Sequence, residues 1–109
     1  MSGGIKHDVG KDRWDLLPWD AARGVVAVLG FGANRYGDRN WENGMRWSRP
    51  YSALLRHVVA WWERDPADPE SGLSHLAHAG CCILFLLSYE LRGIGEDDRP
   101  PRSCKEPSE

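Results

Sequence analysis

His75 and His78 lie three residues apart inside the most apolar stretch of the chain, GLSHLAHAGCCILFLLSYELRG, which runs from Gly72 to Gly93. On a helix that spacing puts both imidazoles on one face. Directly before them comes an acidic loop, Asp65-Pro-Ala-Asp-Pro-Glu-Ser, carrying Asp65, Asp68 and Glu70. Carboxylates beside imidazoles at the mouth of an apolar helix point to a polar site for a metal or a phosphate. Two chemistries fit. Carboxylates with one or two imidazoles can hold Mg²⁺ or Mn²⁺, which bridges phosphates and polarises an attacking water. Three imidazoles and a carboxylate can instead hold a transition metal. The alternative is a purely structural polar network, with Asp68 or Glu70 capping the helix and the histidines bonded to backbone carbonyls. The His-x-x-His spacing itself matches neither a His-Glu-x-x-His nor a zinc-finger pattern.

These side chains need elements to bring them together, and the patterning predicts three helices. The first runs from about Pro18 to Asn34, with Pro18 suited to a first turn and Asp20 to the helix dipole. Its Val-rich centre, Val25 to Leu29, leaves a strand as the alternative. The second starts near Pro50 and stops by Pro66, with Leu54, Val58, Trp61 and Trp62 at helical spacing. The third is capped by Ser71 or Ser74 and stopped by Gly93. It is apolar on more than one stripe and so is surrounded by protein. The short acidic connection makes the last two helices an antiparallel αα-hairpin. In that geometry His57, Glu63, Asp68, Glu70, His75 and His78 converge on one volume. A lone His57 beside Trp61 on a helix face would otherwise read as a hydrogen-bonded core residue. The fold class is therefore all-α, a small helical bundle with an N-terminal arm over 1–17, one domain over 18–93 and a disordered polar tail over 94–109.

Residues 35–49 form a loop rich in turn formers, carrying Arg35, Arg39, Arg46 and Arg49 among Tyr36, Trp41 and Trp47. Guanidinium groups and aromatic rings so interleaved can recognise phosphate and base together; the alternative is a solvated surface loop pinned by its tryptophans. A net charge of -2 argues against a general polyanion-binding surface, so nucleic acid is not the expected partner. No run of about 18 apolar residues appears and the N-terminus lacks an apolar signal core, so neither a membrane span nor secretion is expected. Cytoplasmic residence is the default. Three cysteines, two of them adjacent at Cys81 and Cys82, fit reduced intracellular thiols and not a disulfide framework.

Several segments, in order, resemble a mostly phage-encoded family named after the N-terminal domain of dATP/dGTP diphosphohydrolase. They are KHDVGKDRWDLLP from Lys6, FGANRYGDRNW from Phe31, Trp47-Ser48, Arg56-His57 and DPESGLSHLAH from Asp68. The resemblance implies an all-α nucleotide pyrophosphohydrolase, akin to MazG-like enzymes, that cuts a (d)NTP to the monophosphate and pyrophosphate with Mg²⁺ or Mn²⁺. It also implies a homo-oligomer, a dimer or higher. MazG-like proteins draw metal ligands from Glu-x-x-Glu and Glu-x-x-Asp; this chain has His75-x-x-His78 and Arg56-His57 instead. On this reading Glu63, Asp68, Glu70, His75 and His78 hold the metal, with His57, Glu70, His75 and His78 catalytic. Lys11, Arg13, Arg35 and Arg56 bind phosphates, and Asn40 and Trp41 contact the base. The competing expectation is a non-catalytic protein that sequesters a nucleotide or cyclic-nucleotide signal.

Overall fold

The computed structural model describes residues 3–102. Three helices carry the fold: α1 (Trp19–Tyr36), α2 (Ser48–Trp62) and α3 (His75–Arg92). Single 3₁₀ turns at Trp14–Leu16 and Asn40–Asn43 punctuate the connections. No strand occurs among the described residues, so the Val-rich centre of the first helix is helical. The molecule is all-α, and none of its described helices is long and apolar enough to cross a membrane.

Local chemistry explains the boundaries. Ser74 caps α3, its hydroxyl accepting from the Leu76 and Ala77 amides at 3.1 and 3.5 Å. Gly93 ends the helix in the left-handed region, where a Cβ would be strained. α2 ends differently. The Arg64 amide bonds to the Trp61 carbonyl and the Asp65 amide to the Ala60 carbonyl, both at 3.0 Å. This is the double closure of a Schellman motif, with Arg64 at φ 67° where glycine is usual.

α3 is the central helix. It packs on α2 along the hairpin and on α1 across its other side. The second contact is close because Gly80 lies under Val25: a Cβ there would sit 2.9 Å from a Val25 methyl. The core is small. Val28, Ala79, Cys81 and Tyr89 are its buried hydrophobic residues, and Tyr89 is wholly enclosed, its hydroxyl donating to the Trp41 carbonyl at 2.7 Å.

Residues 94–98, which the composition assigns to the polar tail, are tied to the start of α2. The Trp47 amide donates to the Glu96 carbonyl and the Glu96 amide to the Met45 carbonyl. The Trp47 indole donates to the Ile94 carbonyl at 3.0 Å, and Asp98 caps Ser48 through its amide and hydroxyl. Gly44 and Gly95 let the two segments approach; a Cβ on Gly95 would lie 2.6 Å from the Met45 carbonyl oxygen. The part of the expected tail from Ser103 onward lies outside the described residues.

Candidate functional site

The αα-hairpin brings three of the four histidines together. α2 supplies His57; the first two turns of α3 supply His75 and His78. The His57 and His75 Nδ1 atoms stand 2.9 Å apart. The rings of His57 and His78 stack with centroids 4.6 Å apart. Phe31 of α1 meets the His78 ring edge-on, with centroids 6.4 Å apart, and closes the site from outside the hairpin.

Two carboxylates from the connecting loop complete the arrangement. Asp65 Oδ2 accepts from His75 Nε2 at 3.2 Å, so the buried His75 has a partner at both ring nitrogens. Asp68 organises the turn into α3: its Oδ2 accepts from the amides of Glu70 and Ser71 and from the Ser71 hydroxyl. The Ser71 oxygen in turn lies 2.7 Å from His78 Nε2 and accepts from the Leu73 amide. With the amide already donated to Ser71, its one hydroxyl proton serves Asp68 when His78 carries its proton on Nε2. Asp68 thereby orients His78 through Ser71, and its own Oδ2 lies 3.7 Å from the ring nitrogen.

The electrostatics follow from this geometry. Burial, reinforced by the neighbouring imidazole of His78, holds His57 below the ordinary imidazole value. Burial likewise lowers His78, against the opposing pull of Asp68. For Asp68 burial alone would raise the pKa, but the bonds from the Ser71 amide and hydroxyl outweigh it and hold the carboxyl below its usual range. The site thus pairs an ionised carboxylate with imidazoles biased toward their neutral, lone-pair-bearing form. One nitrogen each from His57 and His75 and one oxygen of Asp68 lie within 4.8 Å of one another, a spacing that a metal ion can span.

The remaining residues singled out in the sequence are distributed around this cluster. Glu70 turns toward α1 and pairs with Arg35 at 3.4 Å. Glu63 lines a shallow concavity on the outer face of α2 with Leu55, Arg56 and Val59; its amide donates to the Val59 carbonyl at 3.0 Å, and its carboxylate makes no hydrogen bond or ion pair among the described residues. Arg56 donates to Ser52 at 3.1 Å and sits next to His57. Trp41 stacks on Phe85 at 4.8 Å, with the Arg92 guanidinium 5.2 Å from its ring. It anchors the loop to α3, and Asn40 begins the 3₁₀ turn beside it. Arg13 pairs with Asp15, and Lys11 bonds through its amide to Asp8; both belong to the exposed arm. Sequence reasoning named Asp65 in the acidic loop beside the imidazoles but left it, with Ser71, out of the residues expected to converge. The Asp68-x-x-Ser71 spacing is a turn signal that, with His78 seven residues on, points to Ser71; Asp65 carries no comparable signal.

Comparison with known proteins adds a family. The chain is 36% identical over 96 residues to a dATP/dGTP diphosphohydrolase of Salmonella phage PMBT28, an alignment covering 88% of this chain and 33% of that protein. The chain thus spans about one third of the length of the curated relative it matches. No solved structure matches. The family model described as dATP/dGTP diphosphohydrolase, N-terminal, matches residues 1–99, and the chain belongs to that family.

Proposed function

We propose that this chain acts on purine deoxynucleoside triphosphates as a diphosphohydrolase, releasing the monophosphate and pyrophosphate. The observation that carries the reading is the convergence of His57, His75, His78 and Asp68 at the hairpin mouth, in a chain similar to a named dATP/dGTP diphosphohydrolase. His78, tethered through Ser71 to Asp68, is placed to take a proton from an attacking water. Arg56, beside His57, and Arg35, at the end of α1, supply cationic groups for the phosphate oxygens. Arg35 is held by Glu70 and must be shared with or released to the substrate.

A divalent cation, Mg²⁺ or Mn²⁺, is the proposed cofactor; when bound it supplies charge to the phosphate oxygens and acidifies water. His57, Asp68 and His75 are the residues that would hold it, and Glu63 and Glu70 stand outside that set. Two imidazoles with one carboxylate suit Mn²⁺ better than Mg²⁺, which takes oxygen ligands. The proposed setting is the cytoplasm, and the proposed assembly is a homodimer.

The test is incubation of purified protein with each dNTP and NTP in Mn²⁺, Mg²⁺ or chelator, with products separated by ion exchange. The expected result is dAMP or dGMP plus pyrophosphate, lost with chelator and lost in His78→Ala at unchanged helical content. Full activity in His78→Ala removes His78 from the site. Recovery of unchanged nucleotide from a stable complex favours sequestration over hydrolysis.

A further inference from the structure

We propose that His57, His75 and Asp68 form a two-histidine, one-carboxylate centre for a first-row transition ion, with Asp65 as the outer carboxylate that positions His75. This deepens the hydrolase reading by naming the class of ion, and it rests on four features of the hairpin mouth. Two imidazole nitrogens sharing one ion through bonds of about 2.0–2.1 Å stand roughly 3 Å apart. The Nδ1 atoms of His57 and His75 stand 2.9 Å apart on two different helices. Asp68 spends Oδ2 on three hydrogen bonds in its turn and, among the described residues, leaves Oδ1 without one. His75 is 5% exposed, a buried polar side chain aimed into the site.

Asp65 supplies the fourth feature. Its Oδ2 lies 3.2 Å from His75 Nε2, and a carboxylate acceptor there puts the ring proton on Nε2. The Nδ1 lone pair is then directed at His57. A carboxylate behind the distal nitrogen of a ligating histidine fixes its tautomer and strengthens it as a donor. Asp65 is a positioning residue and touches no substrate in this scheme. The donor set favours a transition ion over Mg²⁺, because Mg²⁺ prefers oxygen ligands and water. Imidazole suits later first-row ions such as Fe²⁺, Co²⁺ or Zn²⁺, and Mn²⁺ is the member of the series closest to Mg²⁺.

Co²⁺ is the probe, since its visible absorption reports imidazole ligation directly. Metal-free protein is titrated with Co²⁺ in the absence of nucleotide, with and without a large excess of Mg²⁺. The expected result is a band saturating at one Co²⁺ per chain that Mg²⁺ does not displace. His57→Gln should abolish the band, and Asp65→Asn should keep its shape while weakening affinity about 10–100-fold. Circular dichroism verifies that each variant is folded; should His57→Gln unfold, Asp65→Asn, on an exposed loop position, carries the test. Displacement by Mg²⁺ at comparable concentration overturns the proposal, as does wild-type affinity in folded His57→Gln or in Asp65→Asn. A Co²⁺ centre without nucleotide turnover sinks the hydrolase reading alone; turnover with Mg²⁺ and no Co²⁺ centre sinks this one alone.

Discussion

His57 and His78 stack ring on ring in a half-buried site, and that placement carries a pH dependence. Both are held below the ordinary imidazole value, His57 by burial and the charge of its neighbours, His78 by burial against Asp68. In the unfolded chain both return to about 6.5. Below that pH the unfolded state binds more protons than the folded one, so stability falls as the pH drops through and below about 6.5. Above it both states hold neutral rings and this contribution is level. The expected outcome is a lower urea midpoint at pH 5.5 than at pH 7.5, measured with chelator present, and a smaller difference in His57→Gln. An equal midpoint at both pH values would show that the rings protonate freely in the fold. At this scale the His75-x-x-His78 spacing was legible because a helix period places both rings without tertiary information. Asp65 was legible only as a member of the acidic loop, since its reach to His75 depends on how α2 ends. Trp41 was legible as an aromatic among arginines, but Phe85, forty-four residues later, decides what its face contacts.

The end of α2 is the element on which Asp65 depends. The Arg64 and Asp65 amides return to the carbonyls of Trp61 and Ala60, and the closure requires Arg64 at φ 67°. Left-handed backbone costs a non-glycine residue about 1–2 kcal/mol. Pro66 follows directly and restricts Asp65 to extended backbone, so the chain turns out of the helix with the Asp65 carboxylate under His75. Arg64→Gly should therefore raise stability by about 1 kcal/mol, read from chemical denaturation. It should leave metal affinity unchanged, because the closure is kept. A loss of stability would show that the Arg64 side chain contributes more than its backbone costs. The three helices were legible from apolar spacing, Pro18, Ser74 and Gly93, each of which acts within one turn of itself. The pairing of residues 94–98 with the start of α2 was not. Ile94-Gly-Glu-Asp-Asp is polar in composition, and what orders it is a backbone partner about fifty residues away.

At the scale of the whole molecule, three helices around a small core leave too much surface uncovered. A compact monomer of 12.3 kDa exposes about 6,100 Å². This chain exposes 8770 Å², and large apolar side chains on α2 and α3 account for part of it. On α3, Leu76 before the α1 crossing at Gly80, and Ile83, Leu84, Leu87 and Leu91 beyond it, recur at helical spacing and stay exposed. On α2, Tyr51, Leu55, Val59 and Trp62 do the same. The excess, roughly 2,700 Å², is shared between the exposed arm and these stripes, and is of the order of the per-subunit share of an obligate interface, about 1,000–2,500 Å². A second copy burying these stripes would turn two hairpins into one bundle, with the same patch on both subunits. Light scattering should accordingly give a mass twice 12.3 kDa at micromolar concentration. Leu87→Glu places a charge in the middle of the α3 stripe, far from His75 and His78 along the helix. It should weaken association by at least about 2 kcal/mol, read as a roughly thirty-fold higher dimer dissociation constant on dilution. A wild-type monomer would assign the stripes to a different partner. A dimer indifferent to Leu87→Glu would move the interface off α3 and onto the α2 face, where Leu55→Glu makes the same test.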